Sequence, residues 1–541
     1  MKRTFSVFIC LIFIIGIFTS CSSKNNGGGD FIMNIGETPS TLDPQIISSH
    51  VEKLIAANCF EGLVRIDENG GIENGVASSY SISPDSLKYT FTLREDAKWH
   101  IMNGFSDFLG DDFEKKYDFR VTAYDFVFGI QRALDPGTKC PDAKKLYSIK
   151  NASQVNAGDM GVNSLGIKAL NDKTLEITLE YPDENLLYSL CCPAAMPCKE
   201  AFWLNTNGKY GISLTYTLCN GPFYVSEWND DVSVTLLKNP DYVGENEVKP
   251  ASVKFAVNND KDDIEQKVIS NTYDVAFFTE SQVAALKDES VRTQSFENIA
   301  CSLIFNCSDE IFSNLNIRKA VCLSAQADNG SLPVNVSSLS SGIVPPFCTF
   351  NNENYRILAG KANLAEFSPS EAKQCFKKGL EEIEKDNISF TILCTEEYEE
   401  TVRFFLQSWQ KTLGIKFAAS VDVKESGELL NLVKNGEYSV AFYPLEATEQ
   451  EAINFLNIFC ADSKENIINY SNKKYGRLIS EANEGNDISL LKKCEDYLLD
   501  NAVVYPVFNQ NTYFVTASNT SGIYFYSNSD TVFFINAQRE N

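Results

Sequence analysis

Two segments decide how this sequence folds: GLVRIDENGGIENGVASSYSISPDSLKYTFTLREDAKWH, from Gly62 to His100, and VTAYDFVFGIQRALDP, from Val121 to Pro136. In the second, Thr122 stands where a helix cap belongs, and Asp125 follows at the spacing of a capping box. Phe126, Ile130 and Leu134 then recur every fourth residue, with Val127 and Ala133 beside them, so one side of a helix is apolar. Asp135-Pro136 ends the helix, because a residue before proline is driven out of helical backbone. In the first segment Tyr89, Phe91 and Leu93 alternate with polar residues, the period of a half-buried strand.

Outward from these segments, the chain to about Leu190 reads as strand-rich, and Leu175, Ile177 and Leu179 alternate cleanly. Residues 100–119, acidic and flecked with aromatics, read as a surface loop with one helical turn. Upstream, Phe31 to Gly36 reads as a strand and Val51 to Gly62 as a helix. Downstream, strands are expected at 224–228, 232–238, 253–257, 273–278 and 299–306. Ser368-Pro369 with Glu371 opens a helix whose apolar side is Ala372, Cys375, Phe376, Gly379, Leu380 and Ile383. Strand 388–394, helix 399–413 capped by Gly414, and strand 415–419 form a strand–helix–strand unit of crossover length, which predicts parallel pairing. Strands close the chain at 503–508, 513–516 and 523–526. An α/β lobe flanked by strand-rich segments fits a chain that leaves one lobe and returns to it, so that crossing strands form a hinge over a cleft.

The start of the chain carries a different signal. Lys2 and Arg3 precede an apolar run from Phe8 to Phe18, too short to span a bilayer, and Phe18-Thr19-Ser20-Cys21 follows. Residues 1–21 resemble a bacterial lipoprotein signal peptide, with Cys21 as the lipidated mature N-terminus; an ordinary secretory signal is the alternative. Residues 22–30, SSKNNGGGD, have the composition of a flexible tether.

The charge of −25 argues against nucleic acid or an anionic membrane surface as partner. Only His50 and His100 are available for metal or histidine chemistry, so no metal site and no cofactor are expected. No GxSxG, HExxH or Walker A pattern occurs, and no carboxylate pair is singled out, so an enzyme is not expected. Sixteen cysteines are present, of which Cys10 would leave with the signal and Cys21 would carry lipid. A chain of this length builds a core without staples, so the other fourteen read as small buried apolar residues, with one or two disulfides as the alternative.

A series of segments, in order, resembles the solute-binding proteins of ABC-type oligopeptide and dipeptide importers. The series comprises Gly36 to Pro44, Phe60 to Leu63 with Arg65, Ala77 to Tyr80, Tyr89 to Trp99 and Val121 to Pro136, then Cys191 to Glu200, Asn220 to Trp228, Ile317 to Ala320, Gly342 to Pro346 and Leu406 to Ile415. The resemblance implies an α/β, two-lobed (Venus-flytrap) receptor with an extra strand-rich lobe and a hinge between lobes. Lobe I would comprise 31–56, 192–272 and 505–541, lobe II 57–191, and lobe III 273–504. It further implies a monomer that encloses a short peptide between lobes I and III and presents it to an ABC permease, with ATP hydrolysed by separate subunits.

The resemblance also exposes a departure. In peptide-binding relatives a strand of the third lobe supplies an arginine, a tryptophan and an aspartate, the last holding the peptide's ammonium group. Here Phe442, Leu445 and Thr448 fall at those places. Glu446 shares a face with Thr448 if the chain is extended, and Glu449 becomes available if it turns, so either could supply the missing carboxylate. Phe442 and Tyr443 would line an apolar pocket or belong to the lobe core. On lobe I the turn bearing Thr38, Ser40 and Leu42 would face the cleft through its backbone, with Asn220 and Gly221 near it. The departure leaves two alternatives open: a same-fold receptor for a non-peptide solute, and a surface adhesion or signalling protein with a degenerate pocket.

Overall fold

The computed structural model describes residues 28–540, apart from 103, 245–246, 287–290, 327–331, 333–337, 352, 462, 464–465, 486 and 527–530. The signal-like segment, Cys21 and the first part of the tether lie outside the described residues.

Two long antiparallel strands, Val291–Phe305 and Val504–Ala517, form the spine of an eleven-stranded sheet. On one flank Val504–Ala517 pairs with Val275–Thr279, and the sheet continues through Gly28–Ile35, Pro250–Val257, Ser233–Lys238 and Phe223–Asn229. On the other flank Val291–Phe305 pairs with Val440–Glu446, which is followed in parallel by Ile388–Cys394 and Phe417–Val423. The spine therefore crosses from one lobe to another. Its register shifts between Phe296 and Ile299, so a bulge falls where one flank gives way to the other.

Both long strands exceed what apolar alternation predicts. The interruption in the second is Asn509-Gln510-Asn511-Thr512, polar residues that read as a break. Gln510 is nevertheless buried, because its side-chain oxygen accepts from Tyr398 Oη at 2.8 Å and Cys301 Sγ at 3.3 Å. Asn509 donates to Ser338 Oγ at 3.0 Å. Tertiary partners thus replace the apolar pattern.

The predicted parallel unit is present. Helix Glu399–Leu413 joins Ile388–Cys394 to Phe417–Val423, which pair in parallel from Ile388–Phe417 to Cys394–Val423. Trp409 anchors the helix, fully buried with its indole donating to Val321 O at 3.0 Å. At the chain start, strand Gly28–Ile35 takes in the last three residues expected in the tether, and Asp30 accepts from Ser252 Oγ at 2.6 Å.

The extra lobe is built on the antiparallel sheet of Ala77–Ile82, Lys88–Leu93, Thr174–Thr178 and Ile167–Asn171. Helix Ala123–Leu134 stands beside it with the predicted cap: Thr122 N donates to Asp125 Oδ2 at 2.9 Å. Phe126, Ile130 and Leu134 are fully buried, each removal from water stabilising by about 1.5–3 kcal/mol. Gly129 is needed there, since a Cβ would meet Met196 O at 2.3 Å. The insert at 100–119 departs from the surface-loop reading. It forms two single-turn helices, Ser106–Leu109 and Phe113–Lys116, and buries Phe105, Leu109 and Phe113, with Phe105 5.2 Å from the Phe202 ring. Its aromatics outweigh its charge.

One apolar core runs unbroken from Phe31 and Phe255 of the central sheet to Phe91 and Phe126 of the extra lobe. The third lobe has two cores of its own, on opposite faces of its sheet. Among the described residues, the fourteen cysteines from Cys59 to Cys494 form no disulfide.

Candidate ligand-binding cleft

A cavity of about 400 Å³ lies against the bulge, between the lobes. One wall comes from Asn34 to Gly36 at the end of the first strand, from His50, Val51 and Leu54 of helix His50–Cys59, and from Phe277. The facing wall is Phe296, Asn298, Phe347 and the run Glu446 to Thr448. Its apolar lining is a chain of ring contacts: His50 with Phe277 at 5.0 Å, Phe277 with Phe525 at 5.2 Å, Phe525 with Phe296 at 5.1 Å, and Phe296 with Phe347 at 5.9 Å. These span the central sheet, the crossing strand, the third lobe and the C-terminal segment. Sequence reading missed them, because no local pattern announces rings contributed by five separated segments.

Glu446 ends strand Val440–Glu446, opposite Ile299. Its carboxylate accepts from Asn298 Nδ2 at 3.2 Å and Thr512 Oγ1 at 3.3 Å, which orients it at the cavity wall. Thr448 lines the same cavity. Glu449 does not line it. Lys53 Nζ of helix His50–Cys59 lies 2.6 Å from Glu449 Oε1, Lys145 Nζ of the extra lobe lies 3.4 Å from the same atom, and Asn454 Nδ2 donates to Oε2. Burial alone would raise the Glu449 carboxyl, but the two ammonium groups outweigh it and hold the group at about 2. Next to it, burial pushes Glu451 up to about 7, partly opposed by Lys145.

The remaining expected residues sit elsewhere. Phe442 is fully buried against Tyr398 at 5.1 Å and Phe508 at 5.8 Å, and Leu445 is buried in the core on the opposite sheet face. Tyr443 is half-buried against that same core. The turn bearing Thr38, Ser40 and Leu42 is tied inward instead of facing the cavity. Glu52 Oε1 accepts from Ser40 N, Ser40 Oγ and Thr41 N, Leu42 N donates to Gly211 O, and Thr38 Oγ1 accepts from Asp231 N. Asn220 clamps the Glu61 backbone through both of its amide atoms, and Gly221 meets Cys59 and Phe60 so closely that a Cβ would stand 2.7 Å from their backbone. These contacts build the lobe and leave the cavity to Asn34–Gly36, one step upstream of the turn. Among the described residues, no group of three or more His, Cys, Asp or Glu is placed to hold a metal ion.

A second, open groove of about 590 Å³ lies beyond Phe525, which borders both spaces. Its walls include Glu68, Asn69, Gly70 and Tyr188 on one side and Thr520 to Tyr526 on another.

Two lobes joined by a crossing strand pair, with an aromatic-walled cavity at the crossing, define a hinged solute receptor. Residues 71–466 match the bacterial extracellular solute-binding proteins, family 5 Middle, and the chain belongs to that family. It is 27% identical over 519 residues to the dipeptide-binding protein DppE of Bacillus subtilis, a match that takes in 93% of this chain and 90% of that protein. It is 25% identical over 499 residues to the probable deoxycholate-binding periplasmic protein YgiS of Escherichia coli, across 89% of this chain and 88% of that one. The structure of Listeria monocytogenes OppA bound to peptide superposes with a TM-score of 0.73 at 24% identity, covering 95% of this chain and 99% of that chain.

Proposed function

We propose that the protein is an extracytoplasmic lipoprotein receptor that encloses short peptides between its lobes and delivers them to an ABC permease served by separate ATPase subunits. In this reading Cys21 carries the lipid, a short tether follows it, and the working body is a monomer. Lobe I is 31–56, 192–272 and 505–541, lobe II is 57–191, and lobe III is 273–504.

The observation that carries the reading is one carboxylate on an aromatic-walled interlobe cavity. Glu446 is held by Asn298 and Thr512 at the edge of about 400 Å³, a volume suited to a small ligand. It takes the peptide's ammonium group, which needs an ionic acceptor once closure removes its water. The aromatic rings take the adjoining side chain. Glu449, neutralised by Lys53 and Lys145, joins the lobes and leaves the amine to Glu446. Membership of a solute-binding family and a relative named for dipeptides support the choice of ligand.

The test is mass spectrometry of small molecules released by denaturing the recombinant domain that begins after Cys21. A mixture of peptides is expected, and Glu446→Gln should weaken binding of free-amine peptides by about tenfold while leaving N-acetylated ones unchanged. A single non-peptide species would favour the second reading, a same-fold receptor for an apolar solute, which the ring-lined wall and the relative named for deoxycholate both favour.

A further inference from the structure

The open groove is a space of its own. At its junction with the cavity the Phe525 ring packs on Phe277 at 5.2 Å, on Phe296 at 5.1 Å and on Phe514 at 5.6 Å, so an aromatic plug separates the two. The groove floor is the far end of the crossing pair, where Gln294 is opposite Phe514 and Arg292 opposite Thr516. Its walls are the turn Glu68 to Gly70 with Tyr188 of the extra lobe, and Thr520 to Tyr526 of the C-terminal segment. Phe347 and the run Glu446 to Thr448, the third-lobe wall of the cavity, do not line it. Its volume of about 590 Å³ lies within the range of small-molecule sites, about 300–1,000 Å³.

Three tyrosines line the groove with their hydroxyls already tied down. Tyr188 Oη donates to Gly70 O at 3.2 Å, Tyr524 Oη to Glu68 Oε2 at 3.5 Å, and Tyr526 Oη to Asp67 O. The rings are therefore held before any ligand arrives, and using them costs little entropy. Asn69 and Gln294 are exposed between them, and their side-chain amides, each with donors and an acceptor, are engaged by no described residue. The two charges of the lining are opposite in sign, and each has a partner in the protein: Arg292 pairs with Glu540 at 2.7 Å, and Glu68 accepts from Tyr524. Held rings, unengaged amides and no net charge suit a ligand with apolar faces rimmed by hydroxyl groups.

We propose that the groove is a binding site separate from the cavity and that its ligand is a neutral oligosaccharide, with sugar rings stacked on Tyr188 and Tyr524 and hydroxyls bonded to Asn69 and Gln294. The proposal does not depend on which solute the cavity takes. The position of the groove agrees with it. Thr520–Ser521 in the groove wall pairs with Gln538–Arg539, and Arg539 Nη2 donates to Asp30 O at 2.8 Å, so the chain towards Cys21 departs one strand away from the wall. The residues from Cys21 to Gly28 span at most about 25 Å. In the lipid-anchored reading the groove therefore stands within reach of saccharide at the surface that holds the protein.

The experiment titrates cellotetraose, maltotetraose and chitotetraose into the recombinant domain that begins after Cys21 and reads binding by calorimetry. At least one of the three should bind. Tyr188→Ala removes a ring that is 41% exposed and should lower that affinity about tenfold. Gln294→Trp, at an exposed position on the floor, should fill the groove and abolish sugar binding while leaving the melting temperature and the retained peptides unchanged. Glu446→Gln, which alters the cavity, should leave sugar binding as it is. No binding of any of the three oligosaccharides overturns the proposal and leaves the receptor reading standing. Binding that survives Gln294→Trp and is lost in Glu446→Gln places the sugar in the cavity and overturns the proposal as well. Sugar binding by a protein that retains no peptide sustains the groove and counts against the peptide receptor alone.

Discussion

The seam between lobes I and II and the seam that holds lobe III against them are made of different material. The first is a continuous apolar core with a buried clamp inside it. Arg132 of helix Ala123–Leu134 forks onto Asp43 at 2.6 and 3.1 Å, donates to Gln45 Oε1 at 2.6 Å, and lies over the Trp203 ring at 5.0 Å. The second seam has a cavity at its centre, two crossing strands beneath it, and ion pairs across it: Glu449 meets Lys53 of lobe I and Lys145 of lobe II, and Arg292 meets Glu540 of lobe I. Apolar contact of the first kind is lost all at once and never exchanged for anything as good in water. Ion pairs of the second kind are exchanged for hydration when the lobes part. The difference predicts which unit would move, lobes I and II as one body and lobe III against it, with the register shifts at Phe296/Ile299 and Cys301/Ser302 as the places to bend.

The hardest blow to this comparison would come from the fixed seam. Arg132→Ala leaves Asp43 buried without its partner, and an uncompensated buried charge costs about 3–5 kcal/mol. Urea unfolding should show that loss in a single transition, because the two lobes share one core. Two separated transitions in the variant would mean that the apolar seam is weaker than its continuity implies. Next in size is Glu449→Gln, which keeps the shape and removes the charge between two lysines. It should cost about 2–3 kcal/mol and, in solution scattering, enlarge the ligand-free particle. An unchanged scattering profile would show that the ionic seam does not hold the lobes together.

How far these seams were legible in the sequence follows from the range of the interactions. Helix Ala123–Leu134, its Thr122 and Asp125 cap, strand Ile388–Cys394 and helix Glu399–Leu413 are fixed by neighbours three or four residues apart, and their reading agrees with the structure. The long spine was visible only in pieces, since Asn509 and Gln510 are strand residues by virtue of Ser338, Cys301 and Tyr398, far off in the chain. The insert at 100–119 looked exposed because its charges are local, whereas the Phe202 ring that receives Phe105 is a hundred residues away. The choice between Glu446 and Glu449 was beyond sequence altogether. Nothing near residue 449 announces Lys53 or Lys145, and only the folded arrangement of distant segments brings them to one oxygen.

Acid sharpens the comparison further. The Glu449 carboxyl is held at about 2 against an ordinary 4.5, so its contribution is fully present above about 4.5 and disappears as the pH falls towards 2. The loss is on the order of 2–3 kcal/mol and should be absent in Glu449→Gln. Glu451 has the opposite sign. Burial raises it from 4.5 to about 7, so the folded state favours its protonated form and loses relative stability as the pH climbs through that interval. Glu451→Gln should flatten that upper arm by about 1 kcal/mol, discounted for partial exposure. Melting temperatures between pH 3 and 8 for the parent and both variants would separate the arms. An upper arm that survives Glu451→Gln would assign it to another group.

The smallest expected effect concerns what holds the fixed seam shut. Three cysteines, Cys191, Cys192 and Cys198, lie where lobe II returns to lobe I, and a disulfide there would staple that seam covalently. They are free thiols, and Cys198 Sγ instead accepts from Arg132 Nη1 at 3.3 Å. Burial pushes the Cys192 and Cys198 thiols up to about 12, with Arg132 partly opposing the rise at Cys198. Groups that reluctant to form thiolate are poor nucleophiles and slow to oxidise. Excess dithiothreitol should therefore leave the melting temperature unchanged, and thiol titration of the denatured domain should find its cysteines reduced. A drop in melting temperature on reduction would mean that a covalent staple, not the apolar core and the Arg132 clamp, makes lobes I and II one body.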